Sequence, residues 1–188
     1  RTLYGIGIKP PELHSESPEA MFAHMPGLNV VIPSTPYNAK GLLISAIRDP
    51  DPVLFMEPSR LYRSIKSEVP EEAYSIPLGK AAIFQEGSEI TVVAWGTMLH
   101  KAAEASEGFD AEIIDLQTIR PFDEEAVVNS VKKTGRLVVV HEAPGIGGFG
   151  AEVAALVADE AFGYLKAPVV RVTAPDAVVP MARLEDYY

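Results

Sequence analysis

Short apolar runs alternate with helical patterns along most of this chain, and that alternation constrains the fold more than any other feature. The apolar runs have the length of buried strands, and the segments between them repeat apolar residues at helical spacing. Strands that alternate with helices form βαβ units around a parallel sheet, so the sequence predicts an α/β fold. The predicted strands are 28–32, 53–56, 90–94, 111–116, 137–141 and 169–173.

The alternation is interrupted once, between Pro58 and about Gly79, where charged residues and prolines replace the periodic apolar residues. Such a stretch is typical of an interdomain linker. A chain of 188 residues is long enough for two domains. We therefore expect two three-layer αβα domains with mainly parallel sheets, over residues 1–75 and 76–188.

The two ends of the chain are less regular than its middle. Residues 1–13 are rich in glycine and proline and predict a loop, after which Ser17-Pro18-Glu19 predicts a helix N-cap followed by an acidic first turn. The sequence starts with Arg1, and residues 184–188 have the pattern of a helix or turn that has just begun. We expect the natural protein to extend beyond both ends.

Composition excludes several classes of function. The chain has no cysteine, which excludes disulfides, thiolate catalysis and zinc–thiolate sites. Its net charge of −10 argues against nucleic acid as a partner, and no apolar run approaches the ~18 residues of a membrane span. Residues 76–188 hold 17 acidic and 9 basic side chains, which indicates solvated helix faces or a docking surface for a basic partner.

Two histidines occupy positions where a functional group is plausible. His14 lies on a loop just before a predicted helix, where the helix dipole favours a neutral ring that can accept a proton. A surface or capping role is the alternative for this residue. His141 lies at the end of a predicted strand, where parallel sheets place ligand crevices. No pair of histidines or carboxylates has convincing transition-metal spacing.

The glycines of Gly145–Gly150 match the dinucleotide-binding pattern G-x-G-x-x-G between a strand and a helix. Their context fits poorly, because four residues separate them from the strand and Glu142 would place a carboxylate beside the phosphates. A tight, close-packed turn explains the glycines as well. We do not predict a dinucleotide site, and a non-catalytic nucleotide-binding module stays as an alternative.

The predicted helix that begins at Thr35-Pro36 ends at Asp49-Pro50-Asp51-Pro52. The last carbonyls of a helix lack intrahelical partners and carry partial negative charge, and hard cations accept such oxygens as ligands. From these residues alone, ordinary helix termination by proline is the favoured explanation.

Six stretches of the chain carry a family resemblance. They are His14–Ser17, Pro26–Leu43, Ala46–Asp49, Leu61–Arg63, Asp115–Pro121 and Ala167–Val172. In this order they resemble the beta subunit of the thiamine-diphosphate-dependent 2-oxoacid dehydrogenase decarboxylase component, of the pyruvate or branched-chain type. The resemblance covers nearly the whole chain and does not distinguish the substrate.

The resemblance implies the C-terminal part of a pyrimidine-binding domain over 1–75 and a transketolase C-terminal-like domain over 76–188. It implies an α2β2 heterotetramer whose alpha subunit holds the diphosphate of thiamine diphosphate and its Mg²⁺. The beta subunit covers the aminopyrimidine. The assembly decarboxylates a 2-oxo acid and acylates the lipoyl arm of an acyltransferase, whose basic subunit-binding domain fits the acidic second domain.

The resemblance also assigns residues. His14 matches the active-site histidine, a proton donor or acceptor in reductive acylation. A structural K⁺ would be held, mainly through backbone oxygens, by Ala46, Ile47, Asp49 and Asp51. The glutamate that activates the cofactor is expected upstream of Arg1, so no cofactor-binding residue is assigned within the chain.

Three further expectations follow from the resemblance. The helix near Ala105–Gly108 is several residues shorter than is usual in the family, and a prokaryotic cytoplasmic location is implied. The alternative family is another two-domain thiamine enzyme, such as transketolase or deoxyxylulose-phosphate synthase.

Overall fold

The computed structural model describes residues 1–9, 15–180 and 182–188, and within them the chain forms two sheets with helices between the strands. The strands are β1 (Thr2–Tyr4), β2 (Asn29–Val31), β3 (Val53–Pro58), β4 (Ala82–Gln85), β5 (Ile90–Ala94), β6 (Ala111–Asp115), β7 (Thr118–Arg120), β8 (Leu137–Pro144) and β9 (Val170–Ala174). The helices are α1 (Glu19–Ala23), α2 (Pro36–Arg48), α3 (Leu61–Ser64), α4 (Thr97–Ala105), α5 (Glu124–Thr134) and α6 (Gly150–Glu160), with 3-10 turns at Phe162–Tyr164 and Ala182–Tyr187. In these ranges no helix is long and apolar enough to cross a membrane.

The first sheet has the strand order β1-β3-β2-β7. Its first three strands are parallel, while β7 pairs with β2 in the antiparallel direction. Val30 and Ile32 pack on one face beside Ala23 of α1, and Val31 packs on the other face beside Leu42 of α2. Because helices cover both faces, this half is a three-layer αβα arrangement.

The second sheet has the order β4-β6-β5-β8-β9 and is parallel except for the edge strand β4. Leu99 of α4 packs against one face, whereas Val131 of α5 and Val153 of α6 belong to the core on the other face. The expected α/β class with two mainly parallel sheets is therefore confirmed.

One apolar core joins the two halves. Val30, Ile32 and Met56 of the first sheet belong to the same buried cluster as Trp95 and Val153 of the second half. Burial of such side chains stabilises the folded state by roughly 1.5–3 kcal/mol each. The relative position of the two sheets is therefore fixed by packing.

Most elements lie where apolar periodicity predicts them, but two predictions for the first thirty residues are wrong. The expected loop over 1–13 is wrong at Thr2–Tyr4, which form β1 and pair in parallel with Met56–Pro58. Ser17 does not cap α1, since the residue before the helix is Pro18 and it makes no side-chain cap hydrogen bond. By contrast, Thr35 caps α2 as predicted and accepts a hydrogen bond from the Asn38 N–H at 3.1 Å.

Candidate functional site at the junction of the two sheets

The loop after β1 meets the segment before α1 at the carboxyl edge of the first sheet. The backbone N–H of Gly5 donates a hydrogen bond to the carbonyl of Glu16 at 3.0 Å. Gly5 has a φ of +73°. Glycine adopts this conformation with little steric strain, whereas residues with a Cβ atom are strained by it. This bond joins the two flanks of residues 10–14. His14 itself lies outside the described residues.

Glu142, near the end of β8, reaches this loop from the second sheet. Its Oε1 accepts a hydrogen bond from the Ile6 N–H at 2.6 Å. A Cβ atom on Gly5 would lie 2.5 Å from Oε2 of Glu142, so only glycine fits there without displacing the carboxyl group. Burial raises the pKa of Glu142 to about 7. The hydrogen bond from Ile6 and the charge of Arg60 lower this pKa, but the effect of burial is larger.

Glu185, in the 3-10 turn near the end of the chain, contacts both flanks of the same loop. Its Oε1 accepts a hydrogen bond from the Gly7 N–H at 2.7 Å, and its Oε2 lies 3.4 Å from the hydroxyl of Ser15, which donates to it. The Glu185 side chain is buried. Two carboxyl groups from the second half therefore hold backbone from the first half.

A third carboxyl group lies beneath this loop. Glu19, the first residue of α1, is fully buried, and its Oε1 accepts hydrogen bonds from Tyr4 Oη at 3.1 Å and Trp95 Nε1 at 3.3 Å. Burial raises the pKa of Glu19 to about 7, since these hydrogen bonds offset only part of the desolvation. The same burial, with the neighbouring Glu19 charge, raises the pKa of Tyr4 well above its usual range.

His141 does not line a crevice, contrary to the expectation from its strand end. Its ring is 1% exposed and stacks on Trp95, with the two ring centroids 5.3 Å apart and the planes 10° from parallel. Desolvation lowers the pKa of His141 to about 4, so the ring is neutral at physiological pH. The residue belongs to the core.

Two of the glycines in Gly145–Gly150 lie directly against this buried imidazole. A Cβ atom on Gly148 would lie 2.6 Å from Cε1 of His141, and one on Gly150 would lie 2.6 Å from Cδ2 of the same ring. Gly147 has a φ of +67°. Close packing and turn geometry thus account for these glycines without a bound nucleotide.

A polar network links the start of α2 to the second sheet. Asp115 accepts hydrogen bonds from the Ser34 hydroxyl at 2.7 Å and from Asn38 Nδ2 at 3.0 Å. The Ser34 hydroxyl also accepts the Gly96 N–H at 2.9 Å, and Nε2 of His100 lies 2.6 Å from the Ser34 carbonyl oxygen. Burial raises the pKa of Asp115 to about 7, although the Ser34 hydrogen bond and two others lower it.

The four residues assigned to K⁺ lie elsewhere, at the C-terminal end of α2. This end precedes β3, whereas the loop after β1 follows the carboxyl end of a parallel neighbour of β3. The C-terminal end of α2 and the loop after β1 therefore lie at opposite ends of the strands of the first sheet. The described parts of the chain contain no group of three or more His, Cys, Asp or Glu side chains that could hold a metal ion.

At the α2 end, the backbone donors that would continue the helix are missing or used elsewhere. Pro50 has no N–H to donate to the Ala46 carbonyl. The Asp51 N–H, which would reach the Ile47 carbonyl, donates instead to Oδ1 of Asp49 at 2.9 Å. The last carbonyls of α2 thus lose their usual helical donors.

Sequence reasoning missed the three buried glutamates at this junction, Glu19, Glu142 and Glu185. Glu19 was expected as an acidic residue in a helix first turn, and nothing in its neighbours indicates burial. Glu142 directly follows the predicted strand 137–141, which was the one available signal, because such positions meet other elements at the carboxyl edge of a sheet. Glu185 lies in the stretch 184–188, where the sequence indicated the start of a helix or turn and gave no sign of burial.

Two family models match this chain. The transketolase C-terminal domain matches residues 79–188, and the transketolase pyrimidine-binding domain matches residues 1–65. Among solved structures, a chain described as a split gene transketolase, inactive beta4 tetramer, aligns with a TM-score of 0.73 and 30% identity. That alignment covers 90% of this chain and 55% of the other.

Curated relatives align over the whole chain. The pyruvate dehydrogenase E1 component subunit beta of Acholeplasma laidlawii is 51% identical over 100% of this chain and 59% of its own length. The mitochondrial 2-oxoisovalerate dehydrogenase subunit beta 2 of Arabidopsis thaliana is 49% identical over 100% of this chain and 54% of its own. This chain thus spans little more than half the length of these relatives. With both domain models matched in order on a fold of two mainly parallel sheets, the chain belongs to the transketolase family, as its pyrimidine-binding and C-terminal domains.

Proposed function

We propose that this chain is part of the beta subunit of a 2-oxoacid dehydrogenase decarboxylase component. The observation that carries the proposal is the 51% and 49% identity, over the whole chain, to beta subunits of the pyruvate and 2-oxoisovalerate enzymes. The reaction removes CO₂ from a 2-oxo acid and transfers the acyl group to one sulfur of a lipoyl group, whose disulfide is reduced as the acyl group is oxidised.

Thiamine diphosphate is the cofactor that this family membership supports. The buried carboxyl groups of Glu19, Glu142 and Asp115 already accept hydrogen bonds from the protein, so they do not fit a site for the diphosphate and its Mg²⁺. We assign both to the alpha subunit. The activating glutamate is assigned to the part of the beta subunit before Arg1.

His14 is the residue of this chain to which we assign chemistry, as the proton donor or acceptor in reductive acylation. The resemblance of His14–Ser17 to the family motif supports the assignment. A second support comes from the flanks of residues 10–14, which are tied together by the Gly5–Glu16 hydrogen bond and to the second half by Glu142. A group that transfers a proton has to be held within hydrogen-bonding reach of its substrate.

We propose that the acidic second half of the chain is a docking surface for the acyltransferase. The 17 acidic side chains of residues 76–188 outnumber the 9 basic ones, which provides charge complementarity to a basic subunit-binding domain of the acyltransferase. The lipoyl domain of that acyltransferase and the alpha subunit complete the proposed set of partners, in an α2β2 assembly in the cytoplasm.

The two domains are proposed to divide at about residues 75 and 76. The family models support this boundary, because they end at residue 65 and begin again at residue 79. Between residues 65 and 79 the described chain forms no helix or strand.

The proposed function is tested by measuring the oligomeric state and the decarboxylase activity of the same preparation. The full-length parent protein is co-expressed with the alpha-type subunit of its own organism, and the product is sized with thiamine diphosphate and Mg²⁺ present. Decarboxylation of pyruvate and of three branched-chain 2-oxo acids is then followed with an artificial electron acceptor. We expect a heterotetramer that is active with at least one of these acids. A transketolase activity with sugar phosphates instead would favour the alternative family.

We further propose a structural K⁺ at the C-terminal end of α2, held mainly by backbone oxygens of Ala46, Ile47, Asp49 and Asp51. The residues fit such an ion because Pro50 and the Asp49–Asp51 turn leave the last helical carbonyls without their usual donors. Carbonyl and carboxylate oxygens are the ligands that hard cations prefer.

K⁺ is expected to raise the thermal midpoint of the assembled protein relative to Li⁺ at equal ionic strength. An ion that binds the folded state at about 100 times its Kd stabilises it by roughly 2.7 kcal/mol. Differential scanning calorimetry over a K⁺ series measures the effect. Asp49→Ala, which frees the Asp51 N–H, is expected to reduce the difference. Asp159→Ala, which removes an exposed carboxyl group from α6, serves as the control. Equal midpoints in the two salts would remove the proposed site.

A further inference from the structure

We propose that the loop Gly5–Gly7, which follows β1, is a pH-sensitive latch between the two halves of the chain. The loop stays docked against the second half while the Glu142 side chain is protonated, and it opens more readily once that side chain is ionised. This inference is independent of the role proposed for His14.

The backbone of the latch is held by side chains from the second half. The Ile6 N–H donates a hydrogen bond to Oε1 of Glu142 at 2.6 Å, and the Gly7 N–H donates to Oε1 of Glu185 at 2.7 Å. Gly7 has a φ of +126°. Successive N–H groups in such a turn form a concave surface that binds anions. The latch therefore binds two carboxyl groups, both of them from the second half of the chain.

The latch also fits closely against its neighbours. A Cβ atom on Gly5 would lie 2.5 Å from Oε2 of Glu142, and one on Gly7 would lie 2.5 Å from Cβ of Arg60. The start of the loop is fixed, because the residue before it, Tyr4, pairs with β3 in the first sheet. Opening therefore pivots beyond Tyr4 and separates the loop from Glu142.

The Glu142 carboxyl group is poorly placed to carry a charge. Glu142 is 6% exposed, and among the described residues its Oε2 atom has no hydrogen-bond partner. A buried oxygen without a partner costs free energy, and the cost is greater when the group is ionised. Burial accordingly raises the pKa of Glu142 to about 7, and the charge of Glu185 adds to the increase, whereas the Ile6 hydrogen bond and the Arg60 charge lower it by less.

Titratable and charged groups on several elements interact with Glu142. They are Tyr4 of β1, Glu19 of α1, Arg60 before α3, and Glu185 and Tyr188 near the end of the chain. Arg60 is the cation of this set and is exposed, so solvent screens its charge. Glu19 and Glu185 are buried. Ionisation of Glu142 therefore adds negative charge to a junction that already holds two other carboxyl groups, which favours opening.

The direction of the pH effect follows from the two states of the latch. In the open loop, water reaches Glu142 and its pKa returns toward the ordinary value of 4.5. Between pH 4.5 and about 7 the open state therefore gives up a proton that the docked state keeps, so rising pH favours opening. We expect the opening equilibrium constant to increase by on the order of 10²-fold between about pH 5 and about pH 8, and to change little above that.

Hydrogen exchange in the α2β2 enzyme assembled from the full-length chain tests the latch. Exchange across residues 5–9 is measured by mass spectrometry at about pH 5 and about pH 8, and it is corrected for the intrinsic pH dependence of amide exchange. We expect protection of this segment to fall by about 10-fold to 100-fold over that range, because opening exposes the Ile6 and Gly7 amides. Unchanged protection would overturn the inference.

Two glutamine variants identify the group that titrates. Glu142→Gln keeps an acceptor for the Ile6 N–H and cannot ionise, so we expect it to retain at the higher pH the protection that the wild type has at the lower one. Glu160→Gln removes an exposed carboxyl group at the end of α6 and should keep the wild-type pH dependence. If Glu142→Gln loses protection with pH as the wild type does, another group controls the loop and the inference is wrong.

Peptides of β5 show whether the opening is local. This strand lies inside the second sheet, between β6 and β8, so its amides exchange only through a larger unfolding. We expect them to stay protected at the higher pH while residues 5–9 exchange. A parallel loss of protection in both segments would mean that the whole fold loosens, and the inference of a local latch would fail.

A pair of glycine substitutions tests the contact with Glu142. Gly5→Ala places a Cβ atom 2.5 Å from Oε2 of Glu142, so we expect the loop to be open and weakly protected at both pH values. Gly27→Ala introduces a Cβ atom at a similar φ of +81°, but no atom of the described residues lies within 4 Å of it, and exchange at residues 5–9 should not change. A Gly5→Ala enzyme with wild-type protection at both pH values would show that docking does not depend on this contact and would overturn the inference.

Discussion

Replacing His14 with alanine is expected to lower 2-oxo acid oxidation by the complete complex by about 10²-fold to 10⁴-fold. That range is the usual contribution of a single general acid or base, and reductive acylation is the step in which we assign this role. The alanine variant keeps the backbone that joins the two flanks, so the α2β2 assembly should form as before. Steady-state oxidation with lipoyl acyltransferase present measures the loss, and size-exclusion chromatography checks assembly.

A matched control is available at the end of α1. His24→Ala removes an exposed histidine from the same half of the chain and is expected to leave turnover unchanged. A His14→Ala enzyme that assembles and turns over at the wild-type rate would eliminate the catalytic assignment. An enzyme that no longer assembles would show that the residue has a structural role instead.

The free energy of unfolding is expected to fall as pH rises from about 5 to about 8. Glu19, Asp115 and Glu142 each have a pKa of about 7 in the folded protein, well above that of an exposed carboxyl group. Between the two pKa values the unfolded chain loses a proton that the folded chain keeps, so rising pH favours unfolding. Above pH 8 both states are ionised and the loss is complete. For Glu19, the shift from 4.5 to about 7 corresponds to about 3 kcal/mol.

Urea denaturation of the full chain across this pH range measures the slope. Glu19→Gln resembles the protonated form of the side chain, so the variant should lose less stability on going from pH 5 to pH 8 than the wild type. Glu160→Gln changes an exposed glutamate and should keep the wild-type slope. If Glu19→Gln and the wild type show the same slope, the buried carboxyl of Glu19 does not titrate in this range.

Local sequence pattern was sufficient for the elements that form βαβ units. The predicted strand at 90–94 is β5, and Thr35-Pro36 marks the start of α2 because the Thr35 hydroxyl and the fixed φ of proline act within one helical turn. Strand β1 was missed because it has three residues and exists through its pairing with β3, more than fifty positions away. Strand β7 was missed for the same reason.

The contacts of the candidate site were harder to predict from the sequence than the fold. Glu19 and Glu142 are charged in the unfolded chain, and no local rule predicts that a glutamate will be buried against Tyr4 or against the Ile6 amide. Their burial depends on how the two sheets meet, which periodicity does not encode. The resemblance named His14 but gave no reason for the glycines at 5 and 7, which the structure explains by the close approach of Glu142 and Arg60.

Strand β7 has a consequence for any attempt to cut this chain at its linker. Residues 118–120 lie far beyond the proposed boundary, yet they supply the strand that covers the outer edge of β2. A fragment that stops at residue 75 would expose the unpaired N–H and C=O groups of Asn29–Val31, together with the apolar side chains beside them. Open edges of this kind recruit strands from other molecules, so the division into two domains by sequence is not a division into two soluble pieces.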